Sequence, residues 1–171
     1  ELDPLATVLA SDLATKMLRA GQYEEAAREA QRLLDLEPSY PMAHSTLGWA
    51  RLRQGRTDEG LAALTKAVEV AHGSNMLLAQ LGQAYAEAGR LDEAHAIEDR
   101  LQLIGREHYV SPYHMAYLYT GLGNLDRAID CLEQAYDERA SGLYGVKGSF
   151  LFRPLHGHPR FQALLRRMNL V

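Results

Sequence analysis

An all-α solenoid of four antiparallel helix hairpins, closed by a C-terminal capping helix, is predicted by three columns of residues that recur at one step. The pairs Leu13-Ala14, Leu47-Gly48, Leu81-Gly82 and Met115-Ala116 follow one another by 34 residues. So do Gly21, Gly55, Gly89 and Gly123, and so do Ala26, Gly60, Ala94 and Ala128. Small residues of the Gly48 and Ala26 type let two antiparallel helices approach closely. The glycine column falls where a first helix must stop, because glycine accepts the left-handed conformation of a helix C-cap. Acidic residues follow at once: Glu24 and Glu25, Asp58 and Glu59, Asp92 and Glu93, then Asp126. Carboxylates there favour the positive end of the second helix's dipole. Each unit therefore reads as helix, glycine turn, helix.

In chain order, first helices are expected near 7–20, 41–54, 75–88 and 110–122. Second helices are expected near 24–37, 58–71, 92–104 and 126–138. Pro41 and Pro112 suit first-turn positions, with Ser111 as N-cap. The repeats then span 7–40, 41–74, 75–108 and 109–142. Residues 1–6 read as the end of a truncated preceding repeat, because Pro4 of Glu1-Leu2-Asp3-Pro4 stands 34 residues before Pro38 of Asp35-Leu36-Glu37-Pro38. That phase implies a fragment or processed form of a longer repeat protein. One core position is odd: Ala30, Leu64 and Leu132 correspond to Glu98, a carboxylate expected to be half-exposed or paired with Arg100 or Arg106.

The period breaks after Ala140, and residues 143–171 read as the cap. Phe161, Leu164, Leu165 and Met168 are spaced as one apolar helix face. Pro159 fits that helix's first turn, and His158 begins it. A solenoid needs such an atypical end to cover its last hydrophobic surface. The stretch 143–152 is expected to be a short helical or irregular piece beneath it.

The 171 residues are 47% hydrophobic and 23% charged, ordinary for a globular chain. A net charge of −4 argues against nucleic acid as the partner, which usually meets a basic stripe. The single cysteine, Cys131, excludes an internal disulfide and suits a reducing, cytoplasmic compartment. No apolar run nears the ~20 residues of a membrane span.

The spacing resembles the tetratricopeptide repeat, whose signature runs W-x2-L-G-x2-Y, then A-x3-F, then P. Leu81-Gly82-x2-Tyr85 and Ala94 match it well, while Leu47-Gly48, Leu13-Ala14-x2-Met17 and Met115-Ala116-x2-Tyr119 match with conservative changes. The closing proline is present at Pro38 and replaced by His72, Arg106 and Ala140 in later units. The last 65 or so residues are also similar to the C-terminal repeat region of multidomain bacterial signalling proteins, among them winged-helix regulators, adenylate or guanylate cyclases and serine/threonine kinases. That likeness rests on Tyr109-Val-Ser-Pro-Tyr-His-Met-Ala, on Cys131-Leu-Glu-Gln-Ala-Tyr136, and on Phe152-Arg-Pro-Leu155 followed by His158-Pro-Arg-Phe161. The glycine-rich stretch 142–148 departs from it.

The family resemblance implies a right-handed superhelix whose first helices line a concave groove. Its groove positions would be Ser45, Trp49 and Arg53, then Met76, Ala79, Gln83 and Glu87, then Tyr113 and Tyr117. Trp49, Gln83 and Tyr117 are equivalent in successive hairpins. Trp, Tyr and Arg dominate binding hot spots, and an extended peptide or an amphipathic helix would suit such a groove. The same aromatic residues could instead fill gaps between helices, or the groove could be filled by the rest of the parent chain. Family members that clamp the C-terminal carboxylate of heat-shock chaperones use lysine, asparagine and arginine. The corresponding Ser11, Thr15, Trp49, Met76 and Gln80 include none of these, which argues against that role.

Nothing points to catalysis. His156-Gly-His158 is the one close histidine pair, without the three or four converging ligands that zinc requires. Asp130 and Glu133 beside Cys131 should raise its pKa, opposing thiol reactivity. The glycines are helix ends, not a phosphate loop. No enzyme activity, cofactor or metal is expected. The expected function is a protein-interaction scaffold or sensor module, forming the C-terminal part of a larger bacterial signalling protein. A stand-alone oligomerisation module, as a homodimer, and a small-molecule-sensing groove are the alternatives.

Overall fold

Alternating helices and glycine turns account for nearly all of the chain. The computed structural model describes residues 4–171, with side chains described from Thr7 onward. The helices are α1 (Pro4–Arg19), α2 (Tyr23–Leu36), α3 (Pro41–Arg53), α4 (Thr57–Val70), α5 (Asn75–Glu87), α6 (Leu91–Gly105), α7 (Pro112–Gly121), α8 (Leu125–Asp137) and α9 (Pro159–Arg167). Two 3-10 segments, Leu143–Gly145 and Phe150–Leu155, lie between α8 and α9. The eight expected repeat helices are present to within three residues at each end. The reading of residues 1–6 as a repeat's end falls mostly outside the described residues; α1 begins at Pro4, where a missing N–H costs nothing.

Local chemistry sets these boundaries. Pro41, Pro112 and Pro159 occupy the first turns of α3, α7 and α9. The paired acids sit in the first turns of α2, α4 and α6, and Asp126 in that of α8. Gly89 ends the α5 hairpin helix with φ +76°, and its three equivalents lie between +73° and +81°. Any side chain there would be strained. Ser111 takes the N-cap place of α7 without a side-chain cap bond, whereas His158 Nδ1 accepts from the Arg160 N–H at the start of α9.

Two compact units divide the chain, residues 1–77 and 78–171. In the first, the α3–α4 hairpin closes on two small residues. A Cβ on Gly48 would stand 2.8 Å from the Gly60 carbonyl oxygen and 2.6 Å from Leu64 Cγ. That contact seats Leu64, 1% exposed, and burying such a side chain contributes about 1.5–3 kcal/mol. Ala26, Ala30, Leu33 and Leu34 form the buried face of α2, and Leu33 and Leu34 pack with Ala43 at the α2–α3 step. Thr15 and Thr46 share a hydroxyl contact of 3.3 Å between α1 and α3.

The second unit repeats the device. A Cβ on Gly82 would meet Leu118 Cδ1 at 2.6 Å, and one on Gly121 would meet Gln83 Cα at 2.7 Å. These gaps bring α5 and α7 side by side. Ala94, Ala128, Ile129, Leu132 and Ala135 complete the hairpin core, and Phe161, Leu164 and Leu165 of α9 close it, each 2% exposed or less. Met168, the fourth residue of that stripe, is half-buried.

Candidate functional site

The expected groove residues fall in both units, and the geometry is fullest in the second. Gln83 on α5 and Tyr113 and Tyr117 on α7 are buried, at 0%, 5% and 6% exposure. What covers them is the chain's own 3-10 segment. The Phe152 ring stacks on Tyr117, with centroids 4.9 Å apart and planes 11° apart. It also tilts against Tyr113 at 5.5 Å, while Tyr113 and Tyr117 meet edge to face at 5.1 Å. Gln83 Nε2 donates to the Leu151 carbonyl at 2.8 Å and to Glu87 Oε1 at 3.1 Å. Gln83 Oε1 is buried without a hydrogen-bond partner. Glu87 itself reaches solvent, and Ala79 is fully buried.

In the first unit, Ser45 and Trp49 are buried at 3% and 2%, and Arg53 lies over the Trp49 ring at 5.4 Å. Such a cation–π contact adds about 0.5–1 kcal/mol where it is partly exposed. Met76 is half-buried. Sequence reasoning placed Trp49, Gln83 and Tyr117 on one row; within the second unit Gln83, Tyr113 and Tyr117 lie against a segment of the chain itself. The glycine-rich departure also finds its reason there. Gly142 has φ +87°, and a Cβ on it would lie 3.3 Å from the Tyr113 ring.

A second polar cluster surrounds Glu98. The carboxylate is half-buried and paired with His95 at 3.1 Å and Arg127 at 3.4 Å, with Gln102 donating at 3.2 Å. The expected partners Arg100 and Arg106 are thus replaced by a residue on α8, which the 34-residue register brings alongside. Arg127 lies 4.1 Å over the Tyr119 ring and donates to its hydroxyl at 2.7 Å. Burial, and then the Glu98 charge, raise the Tyr119 pKa. His95, Glu98, Tyr119 and Arg127 line a cleft of about 190 Å3. They answer one another, so the cleft holds α6 to α8 more than it offers a vacant charge.

The cap carries a third cluster, which sequence reasoning missed. Arg160 donates to Asp130 Oδ1 at 2.6 Å and Glu133 Oε2 at 2.8 Å, and lies 4.0 Å from Asp126. These carboxylates raise its pKa further, Glu133 first. The α8 acids at 126, 130 and 133 are spaced to share a face, a signal that could have paired them with Arg160 at the start of α9.

Cys131 is pushed up to about 11, first by burial and then by Asp130, against the opposing charge of Arg127. A thiol so placed is a poor nucleophile near neutrality. Burial likewise lowers the pKa of His114. Among the described residues, no group of three or more His, Cys, Asp or Glu side chains could hold a metal ion, and no helix is long and apolar enough to cross a membrane.

Comparison with known proteins follows the same lines. One tetratricopeptide repeat model matches residues 12–75 and 45–106, and another matches residues 113–141. No curated protein sequence matches significantly. Among solved structures, MamA of AMB-1 is 18% identical, with 99% of this chain and 95% of that chain covered at a TM-score of 0.49. A point mutant of MamA is also 18% identical, with 98% and 94% covered at a TM-score of 0.50. At that identity the latter likeness shows a shared all-helical repeat fold and nothing finer. The matched family is one whose repeats mediate protein–protein interactions, and a single model of it spans more than half of the sequence: the chain belongs to the tetratricopeptide repeat family.

Proposed function

We propose that this chain is a protein-interaction module that receives a peptide or protein segment on its first-helix face. Gln83, Glu87, Tyr113 and Tyr117 would hold it in the second unit, and Ser45, Trp49, Arg53 and Met76 are the corresponding positions up to residue 77. One observation carries this reading: the face formed by α5 and α7 already accommodates a chain segment. It does so by aromatic stacking on Tyr117 and by an amide-to-carbonyl bond from Gln83. Those are the two kinds of contact by which repeat grooves gain affinity from side chains and from backbone. The resemblance of the last 65 or so residues to bacterial signalling tails supports a further step. The module would be the C-terminal scaffold or sensor region of a larger cytoplasmic signalling protein.

The test is a displayed peptide library panned against the full chain, with hits titrated into isotope-labelled protein. Peptides sharing an aromatic residue should emerge, and they should shift the amide resonances of Gln83, Tyr113 and Tyr117. Hits that shift only the α6 and α8 surface would move recognition elsewhere and end this assignment.

A further inference from the structure

Building on that reading, we propose that Phe150–Leu155 is a displaceable resident of the α5–α7 face, and that the partner replacing it is an extended peptide whose aromatic side chain takes the place of Phe152 against Tyr117. Three observations carry this. The first is the half-satisfied Gln83 amide. Its Nε2 has two acceptors while Oε1, fully buried, has none. Leaving such an atom unpaired forfeits its solvation with nothing in return, and settled cores seldom do so. The resident segment is the cause. It offers Gln83 the Leu151 carbonyl, and its 3-10 turn spends the Phe152 N–H on the Ser149 carbonyl, so the backbone is not extended there. In an extended strand the N–H and C=O of one residue point to the same side. A carboxamide can pair with both, so an extended peptide completes what the resident leaves unmade.

The second observation is how lightly the segment is fixed to itself. Six residues is long for a 3-10 helix, whose hydrogen-bond geometry is poor. Pro154 inside it has no N–H to give. Gly145 and Gly148 lead into it, and a Cβ at either would meet nothing within 4 Å. Packing does not require glycine there; what glycine supplies is a mobile approach.

The third is that α9 has ties of its own to α8: its apolar stripe of Phe161, Leu164 and Leu165 is buried, and Arg160 donates to Asp130 and Glu133. His156, just past the segment, stacks on Phe161 at 5.7 Å and its carbonyl accepts from Gln162 Nε2, so it stays with α9 when the segment leaves its seat.

Two measurements on the full chain decide this. In the free protein, the Phe152 amide should exchange with solvent at least tenfold faster than the amides of Leu118, Tyr119 and Thr120 in α7. Exchange of Phe152 only at the rate of α7 would overturn the proposal, because the segment would then open only with the whole unit. The second uses a fluorescent synthetic peptide of residues 149–155 as probe. It should bind the Phe152→Ala chain at least tenfold more tightly than the unaltered chain, since the competitor in cis is weakened. Equal binding by both chains, with the variant's helical dichroism intact, would overturn it. Where the variant does not fold, the exchange result decides alone. The exchange measurement involves no partner, so its outcome is independent of whether the peptide library yields hits. Library hits together with a rigid Phe152 would leave the functional reading standing and remove this one.

Discussion

The two attachments of the cap in the second unit differ in kind. Phe150–Leu155 is seated by ring stacking, by the buried Leu151 and Leu155 and by an amide-to-carbonyl bond from Gln83, and it leaves one buried oxygen unpaired. The α9 helix is seated by a continuous apolar stripe on one side and a fan of three carboxylates around Arg160 on the other. Both bury an aromatic ring completely: Phe152 and Phe161 are each 0% exposed. The difference lies in what surrounds the ring. A helix with satisfied ends and complementary charge holds its ring as part of one cooperative unit, whereas a short 3-10 turn with a proline holds Phe152, Leu151 and Leu155 without a helix's regular hydrogen bonds. Equal burial therefore need not mean equal anchoring.

Substitutions turn this contrast into numbers. Phe161→Ala should have the largest effect, about 3–5 kcal/mol of global stability by chemical denaturation, the usual cost of emptying a ring-sized site in a core. Phe152→Ala removes the same side chain at the same burial. Its global cost should be smaller, because it cannot exceed the free energy of opening the segment locally. Equal losses would erase the distinction between the two attachments.

Gly121→Ala comes next. The added methyl would lie 2.7 Å from Gln83 Cα and 2.9 Å from the Gln83 carbonyl oxygen, so α7 and α5 must part. Overpacking of this kind costs about 1–3 kcal/mol, and it should also lengthen the Gln83–Leu151 bond, visible as a shift of the Gln83 side-chain amide resonances. Gly89→Ala should cost about 1–2 kcal/mol, because φ +76° is left-handed backbone that alanine resists. The smallest effect belongs to Arg160→Ala. Its ion pairs are exposed, so the denaturation midpoint should move no more than for ordinary surface substitutions, and less still in high salt.

The fold was readable in the sequence because its physical causes are local and repeated. Helix ends carry glycine, proline or acid, and small residues mark where helices touch, so a 34-residue step announces every hairpin. The α9 stripe was equally plain, because Phe161, Leu164 and Leu165 are spaced for one face. The groove was readable only as positions. That Gln83, Tyr113 and Tyr117 sit beneath Phe152 depends on how residues 141–158 fold back, and no periodicity governs that stretch. Gly142 looked like a departure from an apolar pattern, yet its φ of +87° favours glycine and a Cβ there would crowd the Tyr113 ring at 3.3 Å. Glu98 looked like a flaw in the core pattern. Its partner Arg127 belongs to the next hairpin, and sequence neighbours such as Arg100 and Arg106 were the wrong place to look.

On this proposal, one face of the second unit exchanges its own segment for a peptide in trans. The most direct test adds unlabelled peptide of residues 149–155 to isotope-labelled full chain and follows proton contacts between the Tyr117 and Phe152 rings, whose centroids lie 4.9 Å apart in the free chain. These contacts should fade as the peptide saturates, while those within the Phe161–Leu165 stripe persist. Saturation of the peptide with the Tyr117–Phe152 contacts unchanged would contradict it.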